Sequence, residues 1–152
     1  MRLIGVGNRW RGDDAAGLVV AAAVAARRPA GVEVVEHHGE PIELIEACEG
    51  AQTVWIVDAV CSGGAAGTVH RLDASVEPLP ADLFGVSTHR LGPAEALELA
   101  RALGRLPAQV IVYGIEAKEF EPGHPLSAPV ALAAARLADV LVDELALVSK
   151  AG

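Results

Sequence analysis

The sequence predicts a single α/β domain of three layers, with helices on both faces of a mostly parallel, twisted sheet of about five strands and one antiparallel edge strand. Three observations predict it. Short apolar runs alternate with segments of helical period along the chain, the pattern of strand–helix–strand crossovers. The inner runs Thr53–Val57 and Val110–Gly114 are apolar almost without a break, as strands buried on both faces must be. The length of 152 residues suits one domain with a sizeable core. That domain is expected over residues 1–148, with 149–152 a loose tail.

Leu3–Val6 reads as the first strand. The Gly-rich turn after it delivers Asp13 and Asp14 to a helix over Asp14–Arg27, whose Ala and Val residues suit close packing. Val32–Glu36 is the second strand, and Pro41–Cys48 a short helix with proline at its first position, where a missing N–H costs nothing. Thr53–Val57 is the third strand, and the turn Ser62–Gly67 leads to Thr68–Leu72, whose polar–apolar alternation marks the edge strand. Val76–Gly85 is a Pro-bearing loop. Gly92–Leu103 has helical spacing at Ala96, Leu99, Ala100 and Leu103, with Gly104 as a stop. Val110–Gly114 is the last strand and Ala128–Leu147 a long final helix.

Composition excludes several classes. No apolar stretch reaches the roughly 20 residues that span a bilayer, so no membrane partner is expected. The opening residues lack the basic and apolar regions of a signal peptide, so a cytoplasmic location with reduced thiols is expected. Cys48 and Cys61 fit neither a zinc pattern nor a disulfide framework. A net charge of −8 argues against nucleic acid, which is held by Lys and Arg. A monomer is the default expectation.

In open α/β sheets ligands bind beyond the carboxyl ends of the strands. Those ends carry Asn8, Asp13 and Asp14, then His37 and His38, Asp58, and Glu116, and the loop before the Gly92–Leu103 helix carries Ser87, Thr88 and His89. Gly5-Val6-Gly7 opens a dinucleotide fingerprint, but Trp10 stands where its third glycine belongs, and no Gly-Lys-Ser/Thr follows. Acid at this turn repels phosphate and attracts a metal or a proton. Asp14, Asp58 and His89 offer mixed oxygen and nitrogen donors suited to nickel, zinc, manganese or iron, with positions left open for substrate. Consecutive helix residues point about 100° apart, so only one of Asp13 and Asp14 faces such a site. Strand alternation likewise turns at most one of His37 and His38 inward, and solvated strand-end histidines are the favoured reading. Cys61 is expected to be a small buried residue, and Trp10 and Trp55 to be packing residues rather than substrate platforms, with Trp10 open to partial exposure in its turn.

Four motifs in order resemble the maturation endopeptidases of nickel–iron hydrogenases. They are Gly5-Val6-Gly7-Asn8 with Asp13-Asp14 and Gly17; Asp58 within Ile56–Val60; Ser87-Thr88-His89-Arg90-Leu91-Gly92; and Gly114-Ile115-Glu116 with Gly123 and Leu126-Ser127. The resemblance implies a protease that removes the C-terminal extension of the hydrogenase large-subunit precursor once nickel is inserted. It also implies that Asp14, Asp58 and His89 are both the metal-contacting and the catalytic residues, supported by Asn8 and Glu116. Nickel would then arrive with the precursor rather than be held permanently. One segment departs: relatives show a Gly-Thr-x-Gly-type turn after the second strand, whereas this chain has Gly39-Glu40-Pro41-Ile42-Glu43-Leu44. That departure leaves a non-proteolytic nickel- or precursor-binding module as the alternative.

Overall fold

A computed structural model describes residues 1–80, 82–84 and 92–151. Five strands, β1 (Arg2–Val6), β2 (Glu33–His37), β3 (Thr53–Val60), β4 (Val69–Asp73) and β5 (Gln109–Glu116), form one sheet in the order β2-β1-β3-β5-β4. All neighbours are parallel except β4, which runs antiparallel to β5 at the edge. The helices are α1 (Ala16–Ala26), α2 (Pro41–Cys48), α3 (Pro93–Ala102) and α4 (Ala128–Ala151). The predicted three-layer α/β architecture is therefore the observed one.

Strand alternation divides the core in two. Ile4, Val6, Val54, Ile56, Val110 and Val112 meet α2 and α3 through Leu44, Ile45, Ala96 and Leu97. Leu3, Trp55, Val57, Ile111 and Ile115 meet α1 and α4 through Val20, Val24, Leu137, Leu141 and Leu145. The chain leaves β1 through α1 on one face and reaches β3 through α2 on the other. The crevice between the carboxyl ends of β1 and β3 is thus the switch point at which such sheets bind ligands.

Four boundaries differ notably from expectation. Strand β3 continues through Val60 and β5 through Glu116, so Asp58 and Glu116 belong to strands rather than to the loops beyond them. The segment expected to begin the first helix is a 3-10 turn, Gly12–Ala15, and α1 proper starts at Ala16. Helix α4 remains helical to Ala151, past Leu147, where the apolar spacing ends.

The β1–α1 connection is unusually close. A Cβ on Gly17 would lie 2.2 Å from the Val57 carbonyl oxygen and 2.3 Å from that of Val6. Helix α1 therefore rests directly on the backbone of β1 and β3, and the 3-10 turn ahead of it is held above the switch point.

Candidate functional site

Gly7 begins the turn that carries the first carboxylate; a Cβ there would sit 2.0 Å from the Asp14 carbonyl oxygen. The turn is tied by its own backbone. Asn8 N–H donates to the Asp14 carbonyl at 3.1 Å, Arg11 N–H to the Asn8 carbonyl at 3.2 Å, and Asp14 N–H to the Arg11 carbonyl at 3.1 Å. The Asn8 side-chain oxygen accepts from Trp10 N–H at 3.0 Å, an Asx turn that makes Asn8 a support of the loop.

Asp14 and Asp58 come together at the switch point. Asp58 is 8% exposed, and its carboxylate's one hydrogen bond among the described residues is from Ala59 N–H at 2.8 Å. Burial first, and then the charge of Asp14, push its carboxyl well above the usual carboxylate range. Burial also raises Asp14, against the opposing pull of the Arg11 guanidinium and the Asn8 amide. Two carboxylates that disfavour each other's charge can share a proton, activate water, or jointly take a cation. His89 lies outside the described residues, as do Ser87 and Thr88. Among the described residues no three acidic, imidazole or thiol side chains cluster as a metal site.

Asp13 has a different partner set from its neighbour. Its carboxylate is fully buried and accepts from Lys118 N–H and Glu119 N–H at 3.0 Å each, Ser127 N–H at 2.7 Å and Ser127 Oγ–H at 2.9 Å. Its own N–H donates to the Glu119 carbonyl at 2.7 Å. Burial works against the charge, but these hydrogen bonds outweigh it and hold the carboxyl below its ordinary value. Asp13 thus clasps the Asp14 turn to the segment between β5 and α4. Sequence gave only the rule that two adjacent carboxylates diverge.

Glu116 forms a second buried centre. Its carboxylate accepts from Ser62 Oγ–H and, at 3.2 Å, from Ser62 N–H, and it meets His70 Nε2 at 2.9 Å. Burial raises its pKa, yet the contacts from Ser62 and His70 win and lower it. Glu116 therefore fixes the loop that follows Asp58's strand. His70, overlooked in the sequence, joins this cluster from β4; a lone histidine in an alternating strand gave no signal of a partner 46 residues away.

The remaining candidates divide. His37 is buried, its Nδ1 accepting from Gly39 N–H at 2.8 Å, which corrects the expectation that both strand-end histidines are solvated; His38 is exposed. Burial lowers the His37 pKa, with Glu43 opposing. Cys61 is half-buried and Cys48 fully buried, both as free thiols. Trp55 is a packing residue, but Trp10 is 73% exposed because its turn projects it away from the sheet.

A doubly wound α/β domain with a repelling carboxylate pair at its switch point is the frame of a hydrolytic or metal-directed enzyme. The family model described as hydrogenase maturation protease, HycI, matches residues 18–144. The hydrogenase maturating endopeptidase HybD from Escherichia coli superposes with a TM-score of 0.75 at 27% identity, over 95% of this chain and 90% of that one. The endopeptidase HycI from Escherichia coli gives 0.70 at 27% identity, over 95% and 87%. A hydrogenase 2 maturation peptidase from a Thaumarchaeota archaeon gives 0.72 at 26% identity, over 96% and 97%. No curated protein matches the sequence significantly. The chain belongs to the hydrogenase maturation protease family, and it is a peptidase. Among the described residues no helix is long and apolar enough to cross a membrane.

Proposed function

We propose that this peptidase removes the C-terminal extension of a nickel–iron hydrogenase large-subunit precursor after nickel has been inserted, and that it reads the nickel as the signal to cut. The observation that carries the reading is the buried Asp58 within reach of the Asp14 charge. Two carboxylates held together at such cost suit a cation that arrives with the substrate, because its charge relieves both burial and mutual repulsion. Asp14, Asp58 and His89 are the residues assigned to engage that nickel and to act on the peptide bond. A carboxyl whose pKa is raised is also suited to accept a proton from the attacking water. Asn8 and Glu116 support them by fixing the two loops that flank the crevice. We place the reaction in the cytoplasm and treat the enzyme as a monomer.

The test uses nickel-loaded and nickel-free precursor, with the released tail followed by gel and mass spectrometry. Cleavage of the loaded form alone is expected, and its loss in Asp14→Asn, Asp58→Asn and His89→Gln variants that remain folded. Equal cleavage of both precursors would end the recognition reading. Normal processing by all three variants would end the site assignment. The changed Gly39–Leu44 loop favours one second reading, a module that binds precursor without cutting it. Tight binding with the tail retained would establish that instead.

A further inference from the structure

Isolated exposed leucines and valines occur on every protein surface, but an exposed tryptophan on a pinned backbone is a different object. Trp10 is held at both ends of its peptide unit: its N–H donates to the Asn8 side chain at 3.0 Å, and its carbonyl accepts from Gly123 N–H at 2.8 Å. Trp10 as a whole is 73% exposed. The turn that carries it is the one whose backbone bonds hold Asp14, so the ring stands on the rim of the candidate site. Arg9 on the same turn is paired with Glu36 near the end of β2, which ties the turn to that strand. Ile42, 49% exposed at the start of α2, lies at the same end of the sheet. Arg11, exposed beside Trp10, adds a positive charge to a rim that belongs to an acidic chain.

We infer that Trp10 is the docking anchor for the polypeptide substrate, inserting its indole into an apolar recess on the folded precursor beside the bond to be cut. This rests on the reading under Proposed function and adds to it the residue that grips the protein part of the substrate. Rigid aromatic side chains lose little conformational entropy on binding and dominate protein interfaces. A substrate recognised only through its metal would need no such anchor. One recognised as a protein requires contact area outside the crevice, and Trp10 with Ile42 supplies it.

The experiment labels the enzyme with 5-fluorotryptophan, giving one exposed resonance from Trp10 and one buried resonance from Trp55, assigned by Trp10→Phe. Unlabelled nickel-free precursor, which offers the protein surface without the signal to cut, is expected to shift or broaden the Trp10 signal alone. With nickel-loaded precursor, Trp10→Ala should raise KM about thirtyfold, equivalent to about 2 kcal/mol, with kcat unchanged. Trp10→Leu should recover part of that loss, and Val76→Ala, at an exposed apolar position of the loop after β4, should change nothing. An unperturbed Trp10 resonance together with unchanged KM, in an enzyme that still processes precursor, overturns this inference and leaves the proposed function standing. Failure of the wild-type enzyme to cut any precursor overturns the proposed function itself.

Discussion

Asp13→Ala tests how the turn bearing Asp14 is held. The substitution removes the acceptor for four hydrogen bonds, from the N–H groups of Lys118, Glu119 and Ser127 and from the Ser127 hydroxyl, at 2.7–3.0 Å. Hydrogen bonds to a charged group contribute about 1.5–3 kcal/mol each, but four that share one carboxylate do not add, because water can replace part of the set. Breaking a buried charged network by removing one member costs about 3–5 kcal/mol, and that is the expected loss here. Asp13→Asn keeps the shape but turns an N–H₂ toward one side of the cage. Its loss should be smaller, about 2–4 kcal/mol, from amide donors left facing a donor. Urea unfolding measures both, with an unchanged slope showing that the unfolded reference is the same. The sign with pH follows from the lowered pKa. The stabilisation by the Asp13 charge is fully present above the ordinary value of 3.8 and is lost as pH falls through the lower folded value. The gap between wild type and Asp13→Asn should therefore narrow below about pH 3.8. A loss below about 1 kcal/mol for Asp13→Ala, within the range of a single ordinary hydrogen bond, would refute the clasp.

Asp58→Asn should make the protein more stable at pH 7 while abolishing processing. A folded carboxyl with a raised pKa favours the fold while protonated and loses that advantage as pH rises through its folded value, so the gain should vanish near pH 3. Thermal melts at both pH values decide it, and a variant that melts lower at pH 7 would contradict the account. Gly17→Ala drives a methyl into two carbonyl oxygens and should cost about 3 kcal/mol or more, read as a fall in melting temperature; a wild-type melt would show that α1 can shift away. Glu116→Gln breaks the charge-assisted contacts to Ser62 and His70 and should lower stability by about 1–3 kcal/mol and slow processing without abolishing it. Urea unfolding and single-turnover cleavage check both halves, and full activity with full stability would remove Glu116 from its supporting role.

The order of elements was legible because apolar runs and glycine-marked turns report burial directly. What escaped the sequence were interactions across it. A carboxylate interrupts an apolar run and so reads as the end of a strand, yet Asp58 continues β3 because its backbone still pairs with β5 opposite Gly114. The 100° rule separates Asp13 from Asp14 but cannot say that the partner of Asp13 is Ser127. Trp10 was expected to pack, with partial exposure allowed by its place in a turn; its 73% exposure depends on a turn tied to Asn8 and Gly123, and that tie has no periodic signature. The strand-end rule put Asp14 and Asp58 on one rim, whereas the metal-contacting role proposed for them rests on the resemblance.

The Asp13–Ser127 clasp joins residues 114 positions apart, so the turn above β1 is secured by a segment that leaves the ribosome long after it. Contacts of such separation form late, after the local strand–helix units have collapsed. A nascent chain that has β1, α1 and β3 but not yet Ser127 carries both carboxylates without the clasp that sets one of them. The order of manufacture thus becomes a safeguard: the proposed cutting centre is assembled only once the chain has been made as far as Ser127, and a shorter one is poorly equipped to act on a substrate.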